Sequence, residues 1–205
     1  MTNTTAWLAL VVFLLQSAPT AALIRIGDFA RQLTSQDVTE LERIAAAVEA
    51  KGSPWLLEGP FGQSRTSLRI YLSAETQNPQ LRRGKAIDLT QNARDRVWTV
   101  TETVQYAQVV EVGRDFNAIS GDRDIHRPFP VSGKFTDEDL ISLVTFIRGS
   151  PGQVRGSWPI SSLSGDASSV MLWLVDPSGS LRLQRVLVVR RGSDWRVIDA
   201  ITGIA

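Results

Sequence analysis

The run "GDRDIHRPF", residues 121–129, contains the only histidine of this 205-residue chain. Asp122, Asp124 and His126 alternate, so on an extended backbone all three side chains point the same way. Carboxylate and imidazole together can ligate a metal, and a carboxylate can orient an imidazole as a general base. The spacing matches no established metal motif. The plainer reading is a solvated loop whose acids pair with Arg123 and Arg127, and no metal is assigned. A hydrolytic triad has only His126 as its base, and no G-x-S-x-G elbow supports one.

Other chemistry is restricted by composition. The chain has no cysteine, which removes disulfides, thiol nucleophiles and Cys-ligated metals. "GPFG" at 59–62 lacks the Gly-Lys-Ser/Thr end of a P-loop and reads as a turn. No cofactor is expected. A net charge of +1 gives no reason to expect nucleic acid.

Binding candidates come from the aromatics and arginines. Of the tryptophans at 7, 55, 98, 158, 173 and 195, Trp55 ("SPWLL") and Trp158 ("SWPIS") open strand-like segments in Pro-rich surroundings. A tryptophan exposed beside arginine is a candidate anchor for a protein partner. Arg182 and Arg185, in "LRLQRVLVVRR", offer forked donors to carboxylates. These four residues form the expected binding set, with Asp122, Asp124 and His126 as weaker metal candidates.

The elements that must carry them are written twice. Thr34-x-x-Asp37 and Thr136-x-x-Asp139 are helix-start capping patterns 102 residues apart. Val38, Leu41 and Ile44 match Leu140, Leu143 and Phe146 on one side of each helix. Gly52 and Gly149 stand where each helix should stop. "SLRIYL" and "SVMLWLV" follow at the same offset as period-two strands. Further on the offset shortens only in turns, bringing Trp98 onto Trp195 in a shared core role. "SLRIYL" turns Arg69 outward, whereas "SVMLWLV" is apolar on both faces, so its second face should be covered, most simply by the first unit.

The expected fold is α+β: two tandem helix-plus-antiparallel-sheet units, each α-β-β-β-β. Residues 23–109 form the first unit, 110–134 a linker or long loop, and 135–205 the second. Each unit resembles the cystatin-like arrangement, and the tandem resembles secreted β-lactamase inhibitory proteins, although that family uses disulfides.

The N-terminus points to export. "AWLALVVFLL" at 6–15, followed by "APTAAL", fits a signal peptide over residues 1–22. The alternative is an anchor over residues 6–24, because "MTNTT" lacks basic residues and Arg25 and Arg31 follow the apolar run. A membrane is a partner only if that segment is retained. The functional expectation is an exported, non-catalytic protein that binds a protein partner. The alternatives are a nuclear-transport-factor-like pocket, for which Glu102 and Asp199 are the acids to watch, and an anchored envelope structural protein.

Overall fold

The computed structural model describes residues 24–26 (backbone only), 32–50, 54–59, 66–74, 76–121, 123–150 and 152–204. The signal-peptide reading of 1–22 lies outside the described residues, as do Gly52 and Asp122. No helix among the described residues is long and apolar enough to cross a membrane.

The elements are β1 (Ile24–Ile26), α1 (Ser35–Val48), β2 (Pro54–Glu58), β3 (Ser67–Leu72), β4 (Leu81–Gln91), β5 (Trp98–Val109), β6 (Phe129–Lys134), α2 (Asp137–Gly149), β7 (Ile160–Asp166), β8 (Ser169–Val175), β9 (Arg182–Arg191) and β10 (Asp194–Ile204). Both helices start as a full capping box. The Thr34 hydroxyl accepts from the Asp37 amide at 3.2 Å while the Asp37 carboxylate accepts from the Thr34 amide at 3.0 Å. Thr136 and Asp139 repeat those two bonds at the same distances. Two orphan amides are satisfied at each start, and the acid sits at the positive end of its helix.

The expectation of two separate helix-plus-sheet units is overturned. Among the described residues the strands form one mixed sheet in the order β1 to β10: nine full strands and the three-residue β1 at its edge. Two strands were absent from the expected order. β1 lies parallel to β2, and β6 lies parallel to β7, so each helix is the crossover between two parallel neighbours. β6 also pairs antiparallel with β5 at Gln105–Ala107, which joins what would have been two sheets.

Strand direction explains why both helices share one face. β2, β4 and β6 run the same way, so the β1-to-β2 and β6-to-β7 crossovers step across the sheet in the same sense. Parallel crossovers are of one hand, and this places both helices on the same side. Strand β4 records it: Ile87 and Leu89 pack with Leu41, Ile44 and Ala45 of α1, while Leu81, on the same strand face, packs with Leu140, Leu143 and Ile147 of α2. Each helix start also fixes the last hairpin of its half. Asp37 accepts from the Trp98 indole and the Gln91 amide, each at 3.3 Å. Asp139 accepts from Arg190, and the Trp195 indole donates to Ser142 at 3.0 Å. Trp98 and Trp195 are both buried.

Candidate binding face

The side of the sheet away from the helices is covered over one half and open over the other. The described residues of 110–128 cross its first half as a strap. Ile119 packs on Trp55, Tyr71 and Tyr106. The Arg82 guanidinium lies between Trp55, at 4.5 Å, and the strap's Phe116, at 4.9 Å, and donates to Asn117 at 3.1 Å. Gln108 donates to the Phe116 carbonyl at 2.7 Å. Beneath the strap lies an ionic group: Glu58 is salt-bridged to Arg127 and accepts from the Tyr71 hydroxyl at 2.8 Å. Burial, then the Glu58 charge, pushes the Tyr71 phenol well above its ordinary pKa, so it stays a donor. Arg69, on this same face, is held by both Asp88 oxygens at 2.5 and 2.7 Å.

Over β8–β10 that face has no cover among the described residues. Val170, Leu172 and Leu174 point to the α2 core, which leaves Met171, Trp173 and Val175 on the other side. Register carries this row across the sheet: Trp173 lies beside Arg185 and then Ile201, and Met171 beside Leu187 and then Asp199. Trp173 is 38% exposed and Ile201 50%. Arg185 donates to Asp199 at 3.2 Å, so charge lies next to the indole. The expectation that this second face is covered by the first unit is therefore wrong. The halves lie edge to edge in one sheet and cannot stack face to face.

The four predicted binding residues are not brought together. Trp55 is buried under the strap, and Trp158 is half-buried against the α2 core on the helix side. Arg182 is exposed and shares its strand face with Gln184, toward the helix. Arg185 alone lies on the open face. Trp173, at the centre of that face, belongs to the apolar row that the sequence pattern places under cover. Its signal was present in the alternation of an apolar strand, but sequence does not say which apolar face stays open.

In the histidine loop Asp124 and His126 are packed against protein partners, and Asp122 lies outside the described residues. The Asp124 carboxylate accepts from Arg114 at 2.7 Å, from the Ser120 amide and hydroxyl at 3.0 Å each, and from the His126 amide at 2.8 Å. Burial works against its charge, but these donors hold its carboxyl below the usual range. No cluster of three metal-ligating side chains occurs among the described residues. Of the two acids relevant to a pocket, Glu102 is exposed and Asp199 half-buried in its pair with Arg185. Where β5 and β6 diverge, a groove of about 500 Å³ is lined by Glu102, Thr103, Gln105, Ser132, Ser162 and Ser164. Compared with known protein families, curated proteins and solved structures, the chain matches none.

Proposed function

We propose that this chain is a non-catalytic binding protein that engages a protein partner through the open face of β8–β10. The observation that supports it most directly is Trp173, exposed in a row of apolar side chains beside the Arg185–Asp199 pair. Aromatic and arginine anchors dominate binding energy where a partner can exclude water around them. Arg191 and Arg196 are exposed at one margin of the same face. The partner that fits is a flat surface with an apolar centre and an acidic rim. The apolar N-terminal run supports export, so the partner belongs outside the cytoplasm.

The test is a photo-crosslinking amino acid at position 173, with a control at Arg43 on the exposed side of α1, in extracts of the host envelope. The expected result is a discrete adduct from 173 and none from 43, competed away by excess wild-type protein but not by W173D. If W173D competes as well as wild type, the face does not bind. The adduct should weaken with added salt, since rim charges are screened.

A further inference from the structure

His126 sits at the point where the strap is fastened to the second half of the molecule. It is 3% exposed. Its Nδ1 lies 3.3 Å from the Val109 carbonyl oxygen, and the Arg148 guanidinium of α2 donates to that same oxygen at 3.0 Å and to the Ile125 carbonyl at 2.8 Å. A carbonyl only accepts, so the imidazole carries its hydrogen on Nδ1 and is neutral at Nε2. The charged groups around it are Arg148 from α2, and Glu111, Arg114 and Asp124 from the strap. Arg114 and Asp124 are paired with each other at 2.7 Å. Glu111 lies 3.8 Å from Nε2, but its side chain is 74% exposed and its attraction is screened by water. Arg148 shares the Val109 carbonyl with the imidazole and disfavours its charged form, and burial pulls the pKa of Arg148 itself down to about 10.

We propose that His126 is an acid-operated release for the strap: a proton added at Nε2 loosens residues 110–128 from the sheet. No bond breaks; the imidazole becomes a second cation beside Arg148 while only 3% exposed. Burial first, and then Arg148, hold the His126 pKa below its ordinary 6.5 while the strap is closed. The closed form thus binds fewer protons than the released form. Closure is at full strength above pH 6.5 and is lost as pH falls below it. The opening constant rises by up to about tenfold per pH unit until the closed-state pKa is reached. Release would bare Trp55, Tyr71 and Tyr106, which lie on the same sheet face as Trp173. That acid widens the binding face rests on the function proposed above, whereas the release itself does not.

The experiment therefore needs no partner. Amide hydrogen exchange of the full chain is followed from pH 7.5 to 5.0, corrected for intrinsic rates, and compared between the strap and β8–β9. Loss of protection confined to the strap is expected, together with its disappearance in H126Q. Because the chain has one histidine, NMR of the unmodified protein reads its titration even if H126Q does not fold. A His126 pKa at or above 6.5, or strap and β8–β9 losing protection together, would overturn the proposal.

Discussion

Glu58 and Arg127 illustrate what single residues contribute. Glu58 ends β2 and Arg127 belongs to the strap, so their buried pair ties two distant parts of the chain together. Removing one partner of such a pair leaves an uncompensated charge out of water, costing about 3–5 kcal/mol. E58Q should lower the urea midpoint accordingly. E58Q combined with R127M should recover part of the loss, because replacing both partners removes the desolvation problem. An E58Q midpoint equal to wild type would show that the pair does not hold the strap. At this scale the sequence was a partial guide. Its capping pairs were legible because the bonds are local, three residues apart. The burial of Trp55 and exposure of Trp173 were not, because both depend on where the strap lies.

Among the elements, the β6–β7 contact is the most tightly specified. Gly133 and Gly165 are register partners with φ of +128° and +129°, and a Cβ on Gly133 would collide with the Gly165 carbonyl. G133A should cost more than the roughly 1–3 kcal/mol of backbone strain alone. G113A, also at positive φ (+85°) but with open space around it, should cost only that strain. Thermal unfolding of the two variants side by side checks this; equal losses would mean the close strand approach is dispensable. The same features hid β6 from sequence reading. "FPVSGK" contains a proline and a glycine, the residues that usually end strands. Pro130 sits opposite Tyr106 on β5 and lies before the β6–β7 register, which begins at Val131. β1, at three residues, is too short to show a period. The strands "SLRIYL" and "SVMLWLV" were legible end to end because each is bounded by turns and carries its own apolar row.

For the whole molecule, the decisive fact is that the α2 core reaches across the join. Leu81, Ala107 and Val109 from the first half are buried with Phe129, Leu143 and Ile147 from the second. Arg148 of α2 also holds the strap. The molecule should therefore unfold in one transition, and a fragment of residues 23–109 should give the poorly dispersed amide spectrum of an unfolded chain. A well-dispersed spectrum from that fragment would mean the halves are autonomous. This continuity was not legible because the repeated pattern of helix and strands is equally compatible with two sheets. What decides between them is a three-pair contact between β5 and β6, which leaves almost no trace in residue type.

The strands stand in the sheet in the order in which they occur in the chain. Every strand thus pairs with its neighbours in the chain, and among the described residues the long loop to close is the strap between β5 and β6. Most joins are hairpins, which form within about 1–10 μs; the two parallel joins each wait for a helix to form and dock. Local pairing speeds folding, so assembly should run as hairpin growth within each half. The β5–β6, β6–β7 and β1–β2 closures come last and set the rate.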